Sequence, residues 1–271
     1  MLFVNGAGVV LVARLDYGSV SAYGVASMFV AVVIGLENAF VGPLLSEFGR
    51  RSAAGIADPR DLHVSSTING VFLVAVGTLV LIAFPAIKLI FPEHVRESLG
   101  FGVLAAMILG NQLRLSMTPL AMYFIATQKH RRIILPPIVE AASTVVFGIL
   151  LGLLFGLPGV VGGAVLGSIV GVGLSLTWSV SLARLENIDR RDLVLSAIVK
   201  PLLCFSPTIV ASTLVGYDLV HPVWLSALVT LGSVPMSLFL VWFVAFGEPE
   251  KRLFSSLLWH LFRQRGPTRI R

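Results

Sequence analysis

The chain has few charged side chains, which make up 13% of its 271 residues, whereas 56% of the residues are hydrophobic. A soluble domain typically has about 25% charged residues, so this shortage predicts a membrane protein. The formal net charge of +6 does not indicate a nucleic-acid partner. The basic residues lie in short links and in the C-terminal tail, and not on one amphipathic surface.

Cysteine is almost absent as well, since Cys204 is the one cysteine in the sequence. It cannot form an intrachain disulfide, and no cluster of Cys, His and acidic residues indicates a metal site. Membrane prenyl-phosphate transferases typically use clustered acidic metal ligands, and no such cluster occurs inside an apolar run. We therefore expect neither an enzyme nor a bound cofactor.

Long apolar runs, by contrast, dominate the sequence. A run of about 20 residues can cross a bilayer as a helix, and the first run is too short, at roughly 20 Å of helix. The pattern predicts an all-α integral membrane protein with about eight transmembrane helices, the first incomplete, in one bundle over residues 1–247. The runs are 1–13, 19–45, 67–91, 101–127, 133–156, 160–183, 193–216 and 223–246. Between them, Ser46–Ser66 is predicted to be a polar link and Leu157–Gly159 a tight turn.

Lysine and arginine accumulate in every second link between the runs. Basic links remain on the cytoplasmic side of a membrane. We therefore expect a multi-pass protein with both termini in the cytoplasm.

The tail, residues 248–271, forms a second region. Glu248 and Pro249 favour a helix start, and leucine and phenylalanine then recur at helical spacing between basic residues. This pattern predicts a cytoplasmic amphipathic helix on the anionic lipids of the inner leaflet. A merely solvated basic tail is the alternative.

Glycine recurs every four residues at Gly163, Gly167 and Gly171, and again at Gly152 and Gly156. Residues at this spacing share one face of a helix, and small residues there let two helix backbones approach closely in lipid. The pattern therefore predicts close helix packing rather than a substrate site.

Proline interrupts five of the runs, and each proline removes one backbone hydrogen bond. In a membrane the carbonyl that is freed needs another partner. The positions are 85, 119, 136, 137, 201, 207 and 235.

The central run, residues 101–127, carries Arg114 roughly 20 Å along its axis, near the mid-depth of a membrane. An arginine there costs at least about 2.5 kcal/mol on insertion scales, so it should face a partner or a water-filled cavity. Asn111 and Gln112 add polar groups that lipid cannot satisfy. We predict that Arg114, Lys200, Asn111 and Gln112 bind an anionic substrate, with the planar arginine fork suited to phosphate.

Two carboxylates inside the runs, Glu37 and Glu140, give an alternative interpretation. On these boundaries Glu37, Glu140 and Lys200 lie at a similar depth, roughly 10 Å from the cytoplasmic ends of their helices. One carboxylate could pair with Lys200 and the other with Arg114. The charges would then be structural ion pairs that keep helices in register.

Four segments form short patterns: Tyr23–Gly24, Glu37–Pro43, Ala126–His130 and Gly156–Ala164. They comprise a tyrosine-containing helix that ends in proline near a cytoplasmic link, a helix that ends in Gln-Lys, and a Gly-x-x-Gly turn. In these patterns the chain resembles the polysaccharide exporters, or lipid-linked oligosaccharide flippases, of the multidrug/oligosaccharidyl-lipid/polysaccharide (MOP) flippase superfamily. The similarity covers most of residues 1–183. Family members usually have two lobes of six helices and often a terminal pair, so the chain resembles the C-terminal lobe plus that pair, and a first lobe is an expected partner.

The resemblance implies a flippase of the bacterial inner membrane that moves a polyprenyl-diphosphate-linked oligosaccharide for surface polysaccharide such as O-antigen of lipopolysaccharide. The implied mechanism is alternating access, in which a basic cavity holds the anionic head while the lipid tail stays in the bilayer. The closest alternative is a multidrug or metabolite exporter of the same superfamily, which acidic cavity residues would favour. A truncated, non-transporting membrane subunit is a further alternative, because the first helix is short.

Overall fold

The computed structural model describes residues 2–15, 19–54, 59–91, 93, 99–129, 131, 133–179, 189–219 and 223–251. Over these residues every regular element is a helix. Six helices are long and apolar enough to cross a membrane, which confirms the prediction of an all-α, multi-pass membrane protein. Those six are Val20–Ala53, Arg60–Ala86, Leu135–Phe155, Leu157–Trp178, Arg190–Gly216 and Leu228–Ala245.

Ten α-helices follow one another along the described chain. They are α1 (Leu2–Leu15), α2 (Val20–Ala53), α3 (Pro59–Ile90), α4 (Phe101–Leu115), α5 (Thr118–Ala126), α6 (Leu135–Phe155), α7 (Leu157–Leu174), α8 (Arg190–Val194), α9 (Lys200–Gly216) and α10 (Val223–Leu240). Short π-helical turns follow α7, α8 and α10, at Ser175–Ser179, Leu195–Val199 and Val241–Ala245. Residues 248–251 are helical, as predicted for the start of the tail, and the rest of the predicted tail helix lies outside the described residues.

The central run is not the single helix that the sequence predicts. α4 ends at Leu115 and α5 begins at Thr118, so the run forms two short helices of 15 and 9 residues. Pro119 causes the break, because proline has no N–H to donate to the carbonyl four residues earlier and its ring collides with that carbonyl. The break lies directly after Arg114.

The polar link predicted at Ser46–Ser66 is also wrong, because α2 continues to Ala53 and α3 begins at Pro59. Glu47 accepts hydrogen bonds from Arg50 at 2.8 Å and from Arg51 at 2.7 Å. Pairs at this spacing stabilise a helix after its apolar part has ended. Arg51 also pairs with Asp61 at 2.6 Å, which joins the ends of α2 and α3.

α6 and α7 form a tight helical hairpin. The predicted turn at Leu157–Gly159 is wrong, since these residues already form the first turn of α7 and Gly156 alone makes the turn, at φ 62° and ψ −138°. Only glycine adopts such a conformation readily. Gly159 serves packing instead, because a methyl group there would collide with the Leu151 carbonyl.

The glycine row predicted on the sixth run packs against α6, as expected. A methyl group on Gly163 would collide with the backbone of Gly148, and one on Gly167 would collide with Thr144. One turn further along, Gly171 lies against the side chain of Glu140. The two backbones are therefore in close contact along most of the hairpin.

The remaining helices pack around α3 and α4. α4 packs against α2, α3 and α7, whereas α9 packs against α3 and α10 against α9. A polar seam joins α9 to α10: the Thr208 hydroxyl donates to the Ser233 carbonyl at 3.1 Å and lies 2.7 Å from the Ser237 hydroxyl. Hydrogen bonds of this kind hold helices together in lipid.

Freed carbonyls find partners at two of the prolines. Pro207 cannot donate to Leu203, and the Ser206 hydroxyl donates to that carbonyl at 2.8 Å. Pro119 likewise leaves the Leu115 carbonyl free, and the Asn69 side chain of α3 donates to it at 3.1 Å. At these two positions a side chain supplies the partner that a freed carbonyl needs in a membrane.

Candidate functional site

Arg114 occupies the last turn of α4, immediately before the helix break. Its side chain is 18% exposed, and its Nη2 donates to Asn111 Oδ1, one turn earlier on the same helix. Asn111 in turn donates to the Met107 carbonyl at 2.8 Å. Arg114 Nε is buried and has no hydrogen-bond partner among the described residues. The guanidinium is therefore held in place from one side while part of its donor capacity remains unused.

Glu140 of α6 faces Arg114. Arg114 Nε lies 3.9 Å from Glu140 Oε1, and the Glu140 side chain is 14% exposed. That distance is an ion pair but too long for a hydrogen bond. The Ser168 hydroxyl of α7 donates to the same Oε1 at 3.3 Å. The hairpin of α6 and α7 thus fixes the Glu140 carboxylate, and Arg114 forms an ion pair with it but no hydrogen bond.

Glu37 of α2 is the second carboxylate beside Arg114. It is 0% exposed, and neither carboxylate oxygen has a hydrogen-bond partner among the described residues. Glu37 interacts with Thr118, and Arg114 interacts electrostatically with both Glu37 and Glu140. Thr118 begins α5, so Glu37 also lies at a helix N-terminus, where negative charge is favoured. Three ionisable groups, Arg114, Glu37 and Glu140, therefore meet at the break of the central helix, and we refer to them as the charged cluster.

A cavity of about 40 Å³ adjoins this cluster, between α1, α2, α4, α6 and α7. This volume accommodates a few water molecules rather than a sugar-diphosphate head. Its polar wall consists of Tyr23, Asn111, Arg114, Glu140, Thr144 and Ser168. A wider hollow of about 440 Å³ lies towards Gly100 and Tyr217, and Ala106 and Val161 line both spaces. The small cavity beside the cluster and the wider hollow are therefore neighbours within the bundle.

The other two predicted substrate residues lie elsewhere. Gln112 faces α3, where its Nε2 donates to the Leu73 carbonyl at 2.9 Å. Lys200 begins α9 and is exposed, and among the described residues it forms no ion pair with Glu37 or Glu140. The structure therefore brings together Arg114, Asn111, Glu37 and Glu140, and both carboxylates accompany Arg114 instead of being divided between two cations.

Sequence reasoning did not single out Tyr23, Thr144 and Ser168 as part of the cavity wall, or Asn69 at the helix break. Thr144 and Ser168 could have been found, because in a hairpin that turns at Gly156 both lie near Glu140. Asn69 gave no signal, since a single asparagine in an apolar helix does not reveal its partner.

The chain matches no family model, no curated protein and no solved structure. Among the described residues no group of three His, Cys, Asp or Glu side chains could hold a metal ion. The groups at the break can bind and release an anion through Arg114, or a cation through the carboxylates.

Proposed function

We propose that this chain is a transporter of the bacterial inner membrane that flips a lipid-linked anionic oligosaccharide, a polyprenyl-diphosphate glycan, for the synthesis of surface polysaccharide. One observation carries the proposal: Arg114 lies at the break of the apolar central run, and its buried Nε has no hydrogen bond among the described residues and lies 3.9 Å from Glu140 Oε1. An arginine at this depth is expensive unless it serves a polar path. Broken helices at mid-depth are a common way for transporters to build a substrate site.

Arg114 would bind a diphosphate oxygen in place of Glu140. The guanidinium can donate two parallel hydrogen bonds to phosphate. At a separation of 3.9 Å, Arg114 and Glu140 have no hydrogen bond between them that the substrate would need to break. Asn111 holds the guanidinium during the exchange. The cavity must widen to admit the head group, and the lipid tail would stay in the bilayer. This transport requires no covalent bond to be made or broken.

A second candidate is an exporter of a cationic drug or metabolite. Its supporting observation is the charge balance, because Arg114 interacts with two carboxylates, Glu37 and Glu140. If both are ionised, the cluster has one negative charge in excess. A cationic substrate would then bind Glu140, which lines the cavity.

Export assays with matched variants separate the two candidates. Glycan export and membrane abundance are measured for Arg114→Ala, Arg114→Lys and Glu140→Gln, in a host that supplies any partner lobe. Arg50→Ala serves as the control, because Arg50 is exposed at the end of α2 and pairs with Glu47 of its own helix. For an anionic substrate, Arg114→Ala abolishes export even after correction for the amount of protein in the membrane, and Arg114→Lys restores part of it, since lysine keeps the charge but loses the planar fork. Full export by Arg114→Ala/Glu140→Gln would overturn the proposal, since transport would then need no cation here.

A further inference from the structure

The break in the central helix leaves one buried carbonyl without its usual donor. In an unbroken helix the N–H of residue 119 would donate to Leu115, and Pro119 has no N–H. Asn69 of α3 supplies the missing donor, with its Nδ2 3.1 Å from the Leu115 carbonyl. This bond joins α3 to the residue that directly follows Arg114.

Asn69 uses only its donor end. The residue is 0% exposed, and its Oδ1 has no hydrogen-bond partner among the described residues. A buried amide with an unpaired oxygen is costly compared with a leucine of similar size. The advantage of asparagine at this position therefore lies in Nδ2, and so in the Leu115 carbonyl.

A second bond runs between the same two helices in the opposite direction. Gln112 of α4 donates to the Leu73 carbonyl of α3 at 2.9 Å, and Gly77 leaves room for the Gln112 side chain. Together the two bonds fix how α4 is rotated against α3. Successive residues lie about 100° apart around a helix, so Arg114 faces away from α3 and towards Glu140 of α6.

We propose that Asn69 is a positioning residue for the charged cluster. By binding the Leu115 carbonyl it stabilises the helix break and holds α4 at the rotation that directs Arg114 to Glu140. The consequence for transport rests on the function proposed above, whereas the effect on α4 does not.

A disulfide reports the rotation of α4 directly. A Cβ atom on Gly110 would lie 3.4 Å from Val165 Cγ2 and 3.5 Å from Val165 Cα, within reach of a disulfide. Gly110 precedes Arg114 by one helical turn and shares its face. The test protein is therefore the full chain with Gly110→Cys and Val165→Cys in a Cys204→Ala background, oxidised in membranes and assayed by loss of maleimide labelling.

In this background Asn69→Leu removes the donor at nearly constant volume. We expect disulfide formation to slow several-fold and the thermal midpoint in detergent to fall by several degrees. Thr78→Val is the matched control, because Thr78 lies on the same helix, is 3% exposed, and its hydroxyl donates to the Val74 and Ala75 carbonyls of that helix. It should leave the rate of disulfide formation unchanged.

Pro119→Ala supplies the rescue, since alanine restores an N–H that can donate to Leu115. Asn69→Leu/Pro119→Ala should recover most of the lost thermal midpoint, or recover membrane abundance if Asn69→Leu alone does not accumulate. An equal loss in the single and double variants would overturn the proposal, as would unchanged disulfide formation in Asn69→Leu. Normal export by Arg114→Ala would refute the proposed function but would leave these two measurements on Asn69 intact.

Discussion

Gly171 lies directly against the side chain of Glu140: a methyl group on Gly171 would come within 2.8 Å of Glu140 Oε2 and 2.9 Å of its Cβ. The contact between α6 and α7 therefore extends to the carboxylate that faces Arg114. The packing of this hairpin and the geometry of the charged cluster depend on the same contact.

Gly171→Ala should displace the Glu140 side chain and destabilise the hairpin. Crowding of this kind typically costs about 1–3 kcal/mol, measurable as a lower thermal midpoint in detergent. Gly173→Ala is the control on the same helix, because nothing lies within 4 Å of a Cβ there. Equal effects of the two substitutions would contradict the contact.

Arg114→Ala should be rescued in stability by a change at Glu140. Removing one partner of a buried ion pair leaves an uncompensated charge, which costs about 3–5 kcal/mol in soluble proteins. We expect abundance to fall in Arg114→Ala and to recover when Glu140→Gln is added, as measured by membrane blotting. Glu47→Gln, at the exposed end of α2, should give no recovery. If abundance stays normal in Arg114→Ala, the ion pair contributes little to the fold.

Thr208→Val should weaken the contact between α9 and α10, because Thr208 bonds to both Ser233 and Ser237. Polar contacts between membrane helices average about 0.6 kcal/mol and reach about 1.7 kcal/mol, so a loss in that range is expected from unfolding in mixed micelles. Thr213→Val is the comparison, since its hydroxyl donates to the Ile209 carbonyl of its own helix. A loss of equal size at Thr213 would argue against the seam.

The proposed topology is testable with reporter fusions. Fusions at Gly55, Lys129 and Arg271 should behave as cytoplasmic, and those at Glu97 and Tyr217 as periplasmic, because the basic links lie on one side. Activity of alkaline phosphatase, which needs the periplasm, measures this. Its activity in a fusion at Arg271 would invert the proposed orientation of the C-terminus.

The sequence predicted the helical class and the glycine row, since both depend on local composition and spacing. Close packing at Gly163 and Gly167 is confirmed. It was predictable because small residues at this spacing let two helix backbones approach closely. The hairpin also explains why Glu140 is opposite Gly171. Once the turn is placed at Gly156, antiparallel helices bring these two residues level.

The helix break and the grouping of the polar residues could not be predicted without the tertiary structure. Prolines are tolerated in many membrane helices, so Pro119 alone does not predict a break. The break occurs where Asn69, on another helix, donates to the carbonyl that Pro119 leaves free. Asn111 and Arg114 share a face because they lie three residues apart, whereas Gln112 points to α3. That division was available from helical spacing. The grouping of Glu37 and Glu140 around one arginine was not, since depth does not reveal which helices are neighbours.

The single-residue turn at Gly156 has a consequence for how the protein is made. Two apolar helices with so short a connection offer no polar link to be carried across the membrane, so α6 and α7 should enter the bilayer together. Glu140 then arrives in lipid already covered by Gly171 and hydrogen-bonded by Ser168. The hairpin would thus shield the Glu140 carboxylate from lipid during insertion, and Glu140 would pair with Arg114 once the hairpin packs against α4.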